Sequence, residues 1–142
     1  MNNRRFEVLL IEDDADDAEL TIHALSKHHL ASPVFHIDDG EKALEYLFGE
    51  HPLPSLILLD LKMPRVDGIQ ILQRLKADPK RSRVPVVALI SSREGRSYLE
   101  SFDLKADGYI IKPVDLKQFV AVVENIGISS LIFSTSPEKP SK

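Results

Sequence analysis

Apolar runs and amphipathic stretches alternate along this chain. "FEVLLI" (6–11) is an almost continuous apolar run of strand length. From about Ala15 the period changes: Ala18, Ile22 and Leu25 recur at offsets of four and three, which predicts a helix. "VFHI" (34–37) reads as a short second strand ended by "DDG", and Leu44, Leu47 and Phe48 mark a short helix stopped at Gly49. A third strand runs from Leu56 to Leu59, followed by a helix in which Ile69, Leu72 and Leu75 share a face and Pro79 ends the pattern. "VPVVALI" (84–90) is the fourth strand, and its helix, about Gly95 to Lys105, is the weakest, carrying only Leu99 and Phe102. "GYIIKP" (108–113) is a fifth strand, and the last helix, from about Asp115, aligns Leu116, Phe119, Val120 and Val123.

Five strands that alternate with five helices imply an α/β fold, an open parallel sheet with helices on both faces. Unbroken apolar runs, rather than alternating ones, fit strands buried on both sides. After Gly127 the pattern fades. "ISSLIF" (128–133) reads as either a short strand or a docked tail, and "STSPEKPSK" (134–142) is polar and proline-bearing, as disordered segments are. The expected organisation is one domain over 1–128 and a partly or wholly disordered tail over 129–142.

Composition narrows the chemistry. The 142 residues are 43% apolar and 28% charged, enough for a core without covalent staples. With no cysteine, thiolate metal sites, disulfides and thiol nucleophiles are excluded. A net charge of −4 argues against general nucleic-acid affinity. No apolar run approaches the roughly 18 residues of a membrane span, and the N-terminal run is too short for a signal sequence. A cytoplasmic location is therefore expected. The five histidines, His23, His28, His29, His36 and His51, show no ligand spacing and read as surface or turn residues.

In an open parallel sheet, ligands bind beyond the carboxyl ends of the strands. The first strand delivers Glu12, Asp13 and Asp14 there, the third Asp60, the fourth Ile90, Ser91 and Ser92, and the fifth Lys112 and Pro113. An acid after a strand is often only a helix cap, and Asp14 or Asp16 is the expected cap of the first helix. The joint arrival of acids and one lysine on separate strands is more informative. Clustered carboxylates repel one another, which favours either protonation or a bound cation. Hard oxygen ligands without Cys or His suit Mg²⁺. A carboxylate can also attack a phosphoryl group to give an aspartyl-phosphate.

"VLLIEDDADDAEL", "LILLDLKMPRVDG" and "ADGYIIKPVDL", in this order, resemble the response-regulator receiver domain of two-component signalling over about residues 5 to 127. The acid-rich start and the "GEHPLPS" loop look most like stand-alone regulators that partner phytochrome-type histidine kinases. The resemblance implies a flavodoxin-like sheet of order 2-1-3-4-5. It implies that Asp60 accepts the phosphoryl group and that Glu12 and Asp13 hold Mg²⁺ together with Asp60 and the main-chain carbonyl of Lys62. Lys112 would pair with Asp60 and then with the phosphoryl group, and Lys112–Pro113 would be a cis peptide. Met63–Pro64 and Asp67–Gly68 fit the loop into the third helix, and the Lys62 side chain would lie near the path of attacking water.

Two positions depart from the family pattern. Counting from Pro85, and back from Lys112, places Ile90 where the family carries Thr or Ser, with Ser91 one residue late. Strand side chains alternate faces, so Ser91 replaces that hydroxyl only if a bulge re-aims it. A hydrogen bond to a charged partner is worth about 1.5–3 kcal/mol, so its loss would weaken the readout of phosphorylation about tenfold or more. Tyr109, the matching aromatic of the fifth strand, remains free to rotate inward. Lys105 stands where the family has a glycine, a cost if the backbone there is left-handed.

Other carboxylate chemistries fit less well. Phosphatases of the haloacid-dehalogenase type need a second aspartate two residues on, where this chain has Lys62, and no G-x-x-x-x-G-K-[ST] loop is present. The expected role is a phosphoacceptor rather than a metabolic enzyme. Its partners would be a sensor histidine kinase and a downstream protein or a second copy, since the length leaves no room for an output domain. Phe119, Tyr98 and "SSLIF" are the candidate contact residues on the surface the family uses, although aromatics picked on pattern are more often core. A constitutive interaction module that no longer switches is the alternative, and Ile90 is its main support.

Overall fold

The computed structural model describes residues 7–63 and 65–134. Five parallel strands form one sheet: β1 (Val8–Ile11), β2 (Phe35–Ile37), β3 (Leu56–Asp60), β4 (Val86–Ile90) and β5 (Gly108–Ile111). Their order is β2-β1-β3-β4-β5, with every neighbouring pair parallel. The connecting helices are α1 (Ala15–Leu25), α2 (Gly40–Leu47), α3 (Gly68–Lys76), α4 (Glu94–Glu100) and α5 (Leu116–Ile126). A short α6 (Ser129–Ile132) follows. Among the described residues no helix is long and apolar enough to cross a membrane.

The two-residue period of the strands divides the core. Val8, Leu10, Leu56, Leu58, Val87 and Leu89 join Ala18, Leu25, Phe119 and Val123 from α1 and α5. Leu9, Ile11, Ile57, Leu59, Ala88 and Ile90 join Ala43, Leu47, Leu72 and Leu99 from α2, α3 and α4. Both strand faces are therefore dry, which explains the unbroken apolar runs in the sequence.

Four helices start in the same way. Asp14, Asp39, Asp67 and Asp115 each accept the backbone N–H three residues on, at the starts of α1, α2, α3 and α5. An aspartate cap satisfies an otherwise unpaired donor and is worth about 1 kcal/mol. At Asp67 the cap is reciprocal, with the Gln70 side chain accepting the Asp67 N–H. Helix α4 differs, because Arg93 precedes it without a side-chain cap and Leu99 is its one buried residue.

Three expectations change. Helix α4 ends at Glu100 rather than near Lys105, because nothing beyond Leu99 continues a buried stripe. The left-handed residue after it is Asp103, at φ 60°, and Lys105 is not among the positive-φ residues. Aspartate tolerates that region better than most side chains, so the penalty anticipated at Lys105 does not arise there. Phe119, a candidate contact residue, is fully buried and is excluded from any surface.

Residues 128–134 dock on the domain. Ile132 is fully buried, its carbonyl accepts the Ala31 N–H, and Phe133 forms an antiparallel bridge with Leu30. Phe133 also meets Phe119 edge-on at 5.8 Å. The two readings of "ISSLIF" thus resolve into a helical turn plus a bridge. Residues 135–142, where disorder is anticipated, lie outside the described residues, as do Phe6 and Pro64.

Replacing Phe119 by Ala should lower the unfolding free energy by about 3–5 kcal/mol in urea titrations, the usual cost of emptying a buried aromatic site. A change under about 1 kcal/mol would contradict the packing described.

Candidate functional site

The carboxyl ends of β1, β3, β4 and β5 open into one cleft, lined by Glu12, Asp13, Asp14, Asp17, Asp60, Lys62, Ile90, Ser91 and Lys112 among others. Asp60 is the last residue of β3, and its side chain is 7% exposed. The Lys62 N–H donates to Asp60 Oδ1 at 3.2 Å, which fixes the carboxylate as the chain turns. That turn is tight. A Cβ on Gly68 would lie 2.5 Å from the Asp60 carbonyl oxygen and 2.6 Å from Leu61 Cα, so only glycine lets α3 begin against the end of β3.

Glu12 follows β1 and is fully buried. Its main chain is tied on both sides: its N–H donates to the Ile37 carbonyl at 3.1 Å, and its carbonyl lies 2.8 Å from His36 Nε2. A carbonyl only accepts, so Nε2 carries the proton. The Asp14 N–H donates to Glu12 Oε2 at 3.2 Å. Glu12, Asp13 and Asp60 each bring a carboxylate oxygen to within 4.8 Å of the others. This all-oxygen set, with two of its members buried, fits a hard divalent cation that keeps water ligands.

Lys112 reaches this cluster from the end of β5. Its backbone N–H donates to the Ile90 carbonyl at 2.8 Å, and its peptide to Pro113 is cis. The ammonium lies 3.1 Å from Asp17 Oδ2, 3.2 Å from Glu12 Oε1 and 3.5 Å from Asp60 Oδ2. Burial works against the lysine's charge, but Asp60, Asp17 and Glu12 outweigh it and hold the ammonium protonated above the usual lysine range. Glu12 moves the other way. Burial, followed by its hydrogen bond with Asp60 and the repulsion of that charge, pushes it from 4.5 to about 7, against the pull of the Asp14 N–H and Lys112.

Ile90 closes β4 and is 5% exposed. Strand pairing stays regular through it: Asp60 sits opposite Leu89, and Ile90 opposite Ile111. No bulge re-aims Ser91, which is exposed beyond the strand end. A Cβ on Gly95 would lie 2.6 Å from both Cβ and Cγ2 of Ile90, so the apolar side chain is seated directly under the start of α4. Ser92 hydrogen-bonds Glu94 and, with the Glu94 backbone, holds that carboxyl below its usual range. Tyr109 is held outside the cleft. Its hydroxyl accepts the Ala106 N–H at 3.2 Å, and the Arg96 guanidinium covers its ring at 4.8 Å.

Glu12, Asp13, Asp60, Lys62 and Lys112 therefore meet at one cleft. Sequence reasoning missed Asp17 and His36. Asp17 lies in the first turn of α1, whose capping residue Asp14 is separated from β1 only by Glu12 and Asp13, so its side chain stays near the strand end. His36 precedes Ile37, whose carbonyl binds Glu12, but nothing in its neighbours' residue types signals that contact.

Residues 8–124 match the response regulator receiver domain, and the chain belongs to that family. It is 32% identical over 124 residues to the response regulator Rcp1 of Synechocystis, covering 84% of each chain. The bacteriophytochrome response regulator RtBRR superposes with a TM-score of 0.81 at 38% identity, covering 94% of this chain and 82% of that one. Rcp1 in its Mn²⁺-bound form superposes at 0.69 with 31% identity over 90% of this chain and 98% of that one. For the phosphorylated cyanobacterial phytochrome response regulator RcpA the values are 0.67 and 34%, over 89% and 92%.

The position of Glu12 sets a pH dependence. Its raised value means that a divalent cation entering the cluster must displace a proton, so affinity should rise with pH up to tenfold per unit below about 7 and level off above it. In the cation-free protein the same shift favours folding at low pH, a contribution lost as pH rises through about 7. Isothermal titration with Mn²⁺ in buffers of different ionisation enthalpy should show proton release near pH 7. A pH-independent affinity between 6 and 8 would contradict the assignment.

Proposed function

We propose that this protein is a stand-alone response regulator that accepts a phosphoryl group on Asp60 from a histidine kinase, with Mg²⁺ bound by Glu12, Asp13, Asp60 and the main-chain carbonyl of Lys62. The observation that carries the reading is the buried Asp60 carboxylate, 3.5 Å from the Lys112 ammonium and within 4.8 Å of two further acids. Asp60 attacks the phosphorus of a phosphohistidine: the new P–O bond forms as the P–N bond breaks, and the imidazole leaves with its electron pair. Lys112 remains protonated and faces the charge that gathers on the transferred group. When bound, Mg²⁺ supplies further positive charge to the phosphoryl oxygens. Water then releases phosphate and regenerates Asp60. This is a phosphoacceptor's chemistry, not a metabolic enzyme's.

The kinase is of the phytochrome type, a reading supported by the likeness to RtBRR and RcpA. The output is a contact with another protein or a second copy of the chain, in the cytoplasm. Tyr98 and Phe102 of the α4 region, stacked edge-on at 5.3 Å, and Ile111 of β5 are exposed and form the contact surface.

Ile90 attenuates switching. A phosphoryl group shifts a conformational equilibrium only through contacts that differ between the two states. Ile90 offers no hydroxyl, and its seat against Gly95 leaves α4 packed on an apolar side chain that phosphorylation does not address. The same contact favours the second reading, a receiver-fold module that binds partners without switching.

Phosphotransfer from a phosphorylated phytochrome-type kinase should label the wild-type protein and leave Asp60→Asn unlabelled. No label in the wild type would overturn the phosphoacceptor reading. With fluoroberyllate as the phosphoryl mimic, Ile90→Thr should shift the active-state ratio about tenfold further than wild type, the worth of one charge-assisted hydrogen bond. Equal shifts would remove Ile90 as the limiting contact.

A further inference from the structure

The three-way grip on Lys112 goes beyond what phosphoacceptor chemistry needs. An ammonium has three N–H donors. Here two of them are spent on Glu12 at 3.2 Å and Asp17 at 3.1 Å, while Asp60, at 3.5 Å, is held only as an ion pair. The lysine is thus bound more closely to its neighbours than to the phosphoacceptor, and turning it toward a phosphoryl group on Asp60 requires a neighbour to yield.

The partners are unequal. The side chains of Glu12 and Asp60 are 0% and 7% exposed, so water cannot readily replace the lysine there, whereas Asp17 is 43% exposed. Asp17 is also the shortest contact of the three. It is fixed in place at the first turn of α1, where its backbone N–H donates to Asp14 Oδ1 at 2.9 Å. Its carboxylate therefore pulls the ammonium from a rigid position on the solvent side of the cleft.

We infer that Asp17 is a positioning residue that holds Lys112 back from the phosphoacceptor and must release it when a phosphoryl group arrives. The inference rests on Asp60 as the acceptor. Asp17 raises the cost of the phosphorylated arrangement and so sets how strongly the site grips the group, without touching it. The device is separate from Ile90: one acts on the lysine from α1, the other on α4 from the end of β4.

The test is a double-mutant cycle on fluoroberyllate affinity at saturating Mg²⁺, using wild type, Asp17→Asn, Lys112→Met and the double variant. Alongside it, the Lys112 side-chain ammonium signal is followed by NMR without fluoroberyllate. Asp17→Asn keeps the size and the backbone N–H that α1 uses. It should tighten fluoroberyllate about two- to fivefold, the range for a partly exposed ion pair, and should move the Lys112 signal. In the Lys112→Met background the same substitution should change affinity by less than about 1.5-fold, within the additivity expected of uncoupled sites. An unmoved Lys112 signal, an unchanged or weaker affinity in Asp17→Asn, or an equal gain in both backgrounds would overturn the inference. Failure of the phosphoacceptor reading would appear separately, as a wild type that binds no fluoroberyllate, and the Lys112 signal would still decide whether Asp17 holds the lysine.

Discussion

One ammonium among carboxylates is the interaction on which the site depends. Glu12 and Asp60 are buried close together, and two buried anions without a counter-charge would not both stay ionised. Lys112 supplies that charge from the opposite side, at the end of a different strand. The sheet order makes this possible, since β1 and β4 flank β3 and β5 flanks β4. The backbone bond from Lys112 to the Ile90 carbonyl sets how far the lysine reaches. The close approach at Gly68 plays the same part for Asp60. Glu12 is the member whose charge is in play: burial and Asp60 raise it to about 7, against the pull of Lys112, so a cation entering the cluster would displace its remaining proton.

In the proposed switch, making the aspartyl-phosphate and sensing it would use different parts of the molecule. The first draws on charge at the ends of β1, β3 and β5. The second, in the proposed switch, would act on helix α4, which is short, lacks a side-chain cap and buries one residue. Such a helix is weakly held by its own sequence, so what lies under its first turn matters. Here that is Ile90 against Gly95, an apolar contact indifferent to charge. The proposed chemistry at Asp60 and the proposed response of α4 would therefore be separable in this chain.

The strands were legible because burial on both faces leaves unbroken apolar runs, and β1, β3 and β4 read within two residues of their observed ends. A capping acid was read only at α1, where Asp14, one of the two candidates, is the cap; Asp39, Asp67 and Asp115 cap the other helices in the same way. The site was legible as far as each strand delivers the residues at or just beyond its carboxyl end, which accounts for Glu12, Asp13, Asp60 and Lys112. What escaped was set by distance through space. Asp17 and His36 act on neighbours that only the folded register brings near. Docking of 128–133 was one of two open readings, and the Leu30–Phe133 bridge that decides it joins residues far apart in the chain. Phe119 fills the core between α5 and the sheet, as its place on the apolar stripe implied and its candidacy for the family's contact surface did not.

The central claim is that Lys112 is the counter-charge that restrains a Glu12 raised by burial and by Asp60. Carboxyl-carbon NMR titration of Glu12, without divalent cations, measures this in wild type and in Lys112→Met. The account predicts a wild-type midpoint of about 7 and a higher one once the lysine is gone. A wild-type midpoint near the ordinary value of 4.5, or one that does not rise in Lys112→Met, would contradict it.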